Sequence, residues 1–525
     1  MRLPGASSWK NASRLSSNAA KNVGQSSGSQ VGGSGPNAMR STPAPRTRAG
    51  LPPRPSAHAL IVSWSRVYVR MQPPNRSPRC SAQKYAPFRQ TPRRPGLGAA
   101  YTLRDMSSST STHDDVRPTV LVTRVRLRNF RSVVSCDVRL GPLAILVGPN
   151  GSGKSNFLDA LCFTSQALRE GLGQAVRERG FADDILSRSA SPANSDEFGI
   201  DLSLQWSDGT TGAFAYTIGV PSLGGYELRH EACSIWRVGE GRASRYEVGR
   251  EGEILCWSGV SLDAALAPAR ARDRLYLVNV SGLTEFRPVY DALAGMAFYN
   301  LSPARMCEPR APDAGERLLL DGANVASVLR HMYEADATLA TRIGDYLGGI
   351  SSGLTRADAV RVSKHETLQF SQAHSPARST LPFRADQVSD GTLRALGILV
   401  ALFQARMSAE PTVSLVAIEE PENALHPAAA GVLLDALRDA SETTQVIVTT
   451  HSADLLDRVD PDDVTLLAVF ADGGATQIGS VGHAARTAIR EGLYTPGELL
   501  RLGQLSPARG AANGTAYATP TLASE

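Results

Sequence analysis

The run "LAILVG", Leu143 to Gly148, passes without a break into "PNGSGKS" and then into a segment of helical spacing. A continuous apolar run of this kind reads as a strand buried on both faces. The stretch Gly148–Ser155 fits G-x-x-x-x-G-K-[ST] completely, and it follows a buried strand and opens a helix, the context that gives the motif physical meaning. Gly148, Gly151 and Gly153 let the backbone curl so that successive N–H groups converge. The helix that follows, with Phe157, Leu161 and Leu168 on one side, adds the positive end of its dipole. Such a loop cradles phosphate oxygens. Lys154 has the reach for the β- and γ-phosphates of a nucleotide, and Ser155 offers a hydroxyl to Mg²⁺. Gly148, Pro149, Asn150, Gly151, Ser152, Gly153, Lys154, Ser155 and Asn156 form the candidate nucleotide-binding set.

A second stretch, "VAIEEPENALHP" from Val416 to Pro427, drives a strand-like run into two adjacent glutamates. Like charges repel, and a buried carboxylate is costly unless something positive meets it. Mg²⁺ on a nucleotide is that partner. It keeps several waters and takes few protein ligands. Glu419 is therefore expected near the metal with Ser155, and Glu420 is expected to position or deprotonate the attacking water. "QVIVTTHS" reads as another buried strand, delivering His451 to the same sheet edge. "VSDGTLRAL", Val388 to Leu396, places Ser389, Asp390, Gly391 and Thr392 at the start of an amphipathic helix, a second helix N-terminus able to face an anion. The candidate catalytic residues are Glu420, His451 and Lys154.

Composition restricts the alternatives. Apolar residues make up 42% of the 525 and charged residues 20%, ordinary values for a globular chain. No apolar run reaches the roughly 18–20 residues needed to cross a bilayer, and a cytoplasmic location is expected. Six scattered cysteines, with no C-x-x-C pair, read as reduced thiols. The net charge of +5 is uneven: residues 1–105 hold 17 Lys+Arg against one acid, and the remainder holds 38 against 49.

Residues 1–115 form a low-complexity basic segment that cannot bury enough apolar surface to offset its ordering entropy. His58 to Met71 alone has patterning for local structure. The segment reads as a disordered arm, a transit peptide or an upstream stretch before a start at Met39, Met71 or Met106. Residues 116–505 read as one ATPase-type domain in three parts. The first, 116–170, carries the phosphate loop. The second, 171–380, combines an antiparallel β lobe (strands within 198–260) with a helical insertion (290–350). The third, 381–505, carries the remaining motifs, and 506–525 is a disordered tail. "VLVTRVRLRNF" alternates apolar residues with Arg124, Arg126 and Arg128, a half-exposed strand whose basic face, with Arg131, reads first as a solvated strand face and second as a candidate contact for DNA phosphates.

With "RLRNFRSV", "VSDGTLRALGIL", "IEEPENALHP" and "TTHSADLLD" in this order around the phosphate loop, residues 119–505 resemble the RecF-like, AAA-type branch of the ABC-ATPase superfamily, relatives of the heads of structural-maintenance-of-chromosomes proteins. The resemblance implies an α/β P-loop NTPase with a mostly parallel sheet. It also implies ATP and Mg²⁺ as cofactors and an ATP-sandwich homodimer in which Ser389–Thr392 of one copy close over the nucleotide of the other. Asn423 and Ala424 fall where a loop crosses the dimer contact. The implied function is ATP hydrolysis coupled to repair of, or defence against, double-stranded DNA; the alternative is an ATPase driving a protein effector without touching DNA. Three departures stand out. Glu419 occupies a position usually held by Asp, the long coiled coil is missing, and the glutamine-loop residue is indistinct, Gln174 being the nearest candidate.

Overall fold

The computed structural model describes residues 119–188, 196–221, 225–374, 379–407 and 413–508. The basic segment 1–115, with its His58–Met71 stretch, and the tail beyond 508 lie outside these residues. The chain begins as β1 (Val120–Phe130) and β2 (Val133–Arg139), then β3 (Leu143–Val147) and the helix Lys154–Arg169. Five strands follow: β4 (Glu197–Trp206), β5 (Thr211–Gly219), β6 (Glu227–Trp236), β7 (Ser244–Val248) and β8 (Ile254–Ser258). The helix Arg287–Ala294 leads into β9 (Met296–Tyr299), and the helices Val325–Ala335 and Thr338–Ile350 lead into β10 (Leu354–Val362), β11 (His365–His374) and β12 (Ser379–Arg384). The helix Asp390–Phe403 precedes β13 (Leu415–Glu419). The helix Ala430–Ser441 precedes β14 (Gln445–Thr450), and β15 (Thr465–Asp472) and β16 (Ala475–Ser480) complete the strands.

These strands form three sheets. The first is antiparallel, in the order β2-β1-β4-β5-β6-β7-β8; the second is a small antiparallel sheet, β10-β11-β12. The third, β16-β15-β3-β14-β13-β9, is parallel throughout except for the β15–β16 hairpin. Period-two alternation divides the parallel sheet between two cores. Leu143, Ile145 and Val147 of β3 pack with the helices Asp390–Phe403 and Ala430–Ser441, whereas Ala144 and Leu146 pack with the helix Lys154–Arg169 and the antiparallel lobe. The same division runs along β13 and β14. Both faces being covered, these strands read as unbroken apolar runs, which is why β3, β13 and β14 are legible in the sequence.

The expected helical stretch 290–350 is interrupted by β9. "MAFY" is too short to show a strand period; it is a strand because it pairs with Leu415–Ile418 of β13. The small sheet β10-β11-β12 and the strands β2 and β16 are likewise not among the expected elements.

The two large sheets are fastened by Gln445, fully buried at the start of β14. Its side-chain oxygen accepts from Val122 N (2.8 Å), and its amide donates to Val122 O (3.0 Å) and Gly141 O (2.9 Å). Replacing it with Ala leaves buried backbone groups unpaired. Gln445→Ala is expected to lower the unfolding free energy by roughly 2–4 kcal/mol, read from the midpoint shift of a urea transition.

Candidate active site

The phosphate loop takes its shape from two neighbours. Gly153 has φ 100, a left-handed conformation that favours glycine, and a Cβ there would stand 2.0 Å from Thr476 Oγ1. Thr476 in turn donates to Ser152 O (2.9 Å) and shares a hydrogen bond with Ser132 Oγ (2.6 Å), which accepts from Asn156 Nδ2 (2.6 Å). The β15–β16 hairpin thus braces the loop from outside.

Lys154 is 5% exposed, and its ammonium donates to Gly148 O (2.8 Å) and Pro149 O (3.0 Å). Burial pulls its pKa below the usual lysine range, opposed by the nearby charges of Glu420, Glu422 and Glu419. The folded chain therefore brings the phosphate-loop lysine and the carboxylates at the end of β13 into one electrostatic neighbourhood. Glu420 stands at φ 44, a strained conformation for a side-chain-bearing residue, costing on the order of 1–3 kcal/mol. The turn holds it there. Glu420 N donates to Thr449 O (3.0 Å), and Asn423 N donates to Glu420 O (3.0 Å). The Glu420 carboxylate accepts from Asn423 Nδ2 (2.6 Å) and lies 3.0 Å from His451 Nδ1. Burial raises its pKa, but the hydrogen bond from Asn423 and the charges of His451 and Lys154 outweigh this and hold it below the usual carboxylate range. It is ionised at neutral pH.

Two residues that the motifs do not single out complete the arrangement. Glu422 accepts from Thr450 Oγ1 and from His451 N (3.4 Å), while its second oxygen is buried without a hydrogen-bond partner. Arg394, on the helix that begins after Ser389, donates to Leu301 O (2.9 Å), Glu419 O (3.1 Å) and Glu420 O (3.3 Å). It ties that helix to the backbone of the twin glutamates. The sequence signal for Glu422 was its place in "EEPE". Arg394 carried none, because its partners are carbonyl groups distant in the chain.

Ser389 caps its helix by accepting from Thr392 N (3.2 Å), and Thr392 shares a hydrogen bond with Ser351 (3.1 Å). Gly391 is pressed against the turn after β13, where a Cβ would meet Ala424 O at 2.3 Å. Ser389–Thr392 thus abut the Asn423–Ala424 turn of their own chain. Gln174 is not brought to the site: its amide donates to Glu178 (3.0 Å) and its oxygen accepts from Arg177 (2.9 Å). It sits beside the last turns of the helix Lys154–Arg169, where Glu178 also accepts from Gln166 (2.5 Å), at the end opposite the phosphate loop. The basic face of β1 is also engaged internally. Arg124 forks onto Asp137 (2.7 and 2.5 Å), Arg128 donates to Thr217 (3.1 Å) and Arg131 meets Asp159 (2.6 Å). Arg126 lies opposite both Asp137 and Asp201 in register.

Among the described residues no group of three or more His, Cys, Asp or Glu side chains is placed to hold a metal alone. The donor set beside Lys154 is instead one exposed hydroxyl, Ser155, and the carboxylate of Glu419. These hard oxygen ligands suit Mg²⁺ that keeps its waters and arrives with a nucleotide.

A parallel sheet with a phosphate loop after β3, carboxylates at the end of β13 and a histidine after β14 defines a P-loop NTPase of the ABC/RecF-like type. The chain belongs to the family described as "AAA domain, putative AbiEii toxin, Type IV TA system", whose profile matches residues 143–457. It is 42% identical to the DNA replication and repair protein RecF of Magnetococcus marinus over 60 residues, 11% of this chain and 16% of that protein. It is 23% identical to the OLD nuclease of Thermus scotoductus over 349 residues, 63% of this chain and 59% of that protein. The chain thus spans less than two thirds of either relative. A solved SMC head bound to the C-winged helix domain of ScpA matches with a TM-score of 0.44 and 14% identity, covering 70% of this chain and 99% of that one. Among the described residues no helix is long and apolar enough to cross a membrane.

Arg394→Ala removes a guanidinium that donates to three carbonyls, of which Glu420 O keeps Asn423 N, and is expected to cost roughly 2–4 kcal/mol. Arg394→Lys, which keeps the charge but not the fork, should recover less than half of that loss in the same urea titration.

Proposed function

We propose that the chain binds ATP with Mg²⁺ at Gly148–Asn156 and hydrolyses it, with Glu420 as general base. The observation that carries this reading is the convergence of Lys154, Glu420 and His451 at neighbouring strand ends. Lys154 exchanges the carbonyls of Gly148 and Pro149 for β- and γ-phosphate oxygens. Ser155 and Glu419 would hold Mg²⁺, which when bound would supply charge neutralisation at the phosphates. Glu420, ionised and fixed by Asn423, receives the proton of the attacking water, and His451 holds that carboxylate in position and reaches toward the γ-phosphate. Two chains close as a sandwich, with Ser389–Thr392 of one meeting the nucleotide of the other, and hydrolysis reopens them. The names of the relatives, a DNA replication and repair protein and a nuclease, support coupling of this cycle to a DNA transaction.

A second reading is an ATPase that drives a protein partner with no direct DNA contact. The ion pairs of Arg124 with Asp137 and of Arg131 with Asp159 favour it, since paired guanidinium groups release few counterions on meeting DNA.

Steady-state turnover of the full chain, measured over a range of protein concentrations with and without double-stranded DNA at low salt, separates the two. A rate per chain that climbs with concentration supports the dimer. Stimulation by DNA supports the first reading, and indifference to DNA supports the second. Glu420→Gln is expected to bind ATP, lose about 10²–10⁴-fold in rate and accumulate as a dimer in size-exclusion chromatography. A monomeric variant with wild-type turnover would overturn the assignment. Lys154→Ala should abolish nucleotide binding at the loop, read by calorimetry.

A further inference from the structure

At the opposite ends of the parallel strands from Glu420 and His451 lies a cleft of about 930 Å³. Its floor is the backbone just ahead of three strands: Gly295 before β9, Ser414 before β13 and Thr443 before β14. Arg169, Arg287 and Arg317 line it, together with Trp206 and Tyr290. Among the described residues Asp291 is the only acid in the lining, and both of its oxygens are taken by Arg287 Nε (2.8 and 2.7 Å).

Arg169 and Arg317 are left as two cations facing a common space. Among the described residues neither forms an ion pair. Arg317 is half-buried and is held in place by donating to Met296 O (2.7 Å). Both arginines line the same cleft, and burial, and next the charge of Arg169, draw the Arg317 guanidinium below its usual range. Neighbouring guanidinium groups repel, and a partly buried one lacks the water that would relieve it. An oxyanion removes both costs, because the planar fork of arginine matches carboxylate and phosphate oxygens. The volume falls within the roughly 300–1,000 Å³ of small-molecule sites, and the two aromatic side chains offer apolar surface to the body of a ligand.

We propose that this cleft binds a small organic oxyanion of nucleotide size, its phosphate or carboxylate group held between Arg169 and Arg317 and its body lying against Trp206 and Tyr290. The site is separate from the phosphate loop and lies under the start of β13, the strand that ends in the twin glutamates.

The test uses the full chain carrying Lys154→Ala, so that the phosphate loop does not contribute. ADP, pyrophosphate and citrate are titrated separately, followed by calorimetry and by tryptophan fluorescence. Saturable binding of at least one of them is expected, weakened about tenfold or more by Arg169→Ala or Arg317→Ala. Trp206→Phe should remove the fluorescence change and keep the heat. ADP binding more tightly than pyrophosphate assigns a ring to the aromatic wall; preference for citrate assigns a carboxylate ligand. Arg169 is exposed, so its variant tests the site even if Arg317→Ala fails to fold. No saturation by any of the three up to millimolar concentration, or equal affinity in the Arg169 variant, would overturn the proposal.

Discussion

Burial of both faces of the parallel sheet is the constraint from which the rest follows. Leu143, Ile145 and Val147 point into one core, and Ala144 and Leu146 into the other, so β3 has no surface on which to carry a polar side chain. The same holds for most of β13 and β14. Polar chemistry is therefore confined to strand ends, where the backbone leaves the apolar layer. Gly148, Glu419, Glu420 and His451 occupy adjacent ends because β3, β14 and β13 are adjacent and parallel. Parallel pairing brings their last residues to the same level without any direct bond between the motifs.

Concentrating charge at one sheet edge creates an electrostatic problem, and the structure meets it with backbone as much as with counter-charge. Lys154 rests on two carbonyls of its own loop while three carboxylates stand near. Glu420 is strained in φ, and its turn is fixed by Thr449, Asn423 and the Arg394 guanidinium. Arg394 belongs to the helix capped by Ser389, so a movement of that helix acts directly on the backbone of Glu419 and Glu420. The Gly391–Ala424 contact links the same helix to the same turn. A ligand pressing on Ser389–Thr392 from outside therefore has a short mechanical path to the carboxylates.

The antiparallel lobe illustrates how pairing changes what a charged strand can do. Arg124, Arg126 and Arg128 alternate along β1 as if displayed to solvent, yet Asp137 and Asp201 on the flanking strands lie opposite Arg126, and Asp137 also takes the fork of Arg124. Cross-strand partners of opposite sign stabilise the sheet and offset part of the positive face that sequence alone suggests. The cleft beside Arg169 and Arg317 shows the converse, in which arginines distant in sequence line one space and, among the described residues, neither forms an ion pair.

Local sequence determined the chemistry at the sheet edge. The loop from Gly148 to Ser155, the strand running into Glu419 and Glu420, and the strand running into His451 are each contiguous. Each couples a strand buried on both faces to a polar end, a pattern visible in a window of about ten residues. Tertiary structure alone decided which of these ends are neighbours, that β9 is a strand, that Gln445 joins two sheets and that Arg394 braces the twin glutamates. It also decided that Gln174 is remote and that the arginines of β1 are paired. Gln174 apart, whose partners Arg177 and Glu178 are near in sequence, the physical reason is common to them. Their partners are carbonyls, or side chains on other strands, tens to hundreds of residues away in the chain, and such pairings come into existence only when the layers pack.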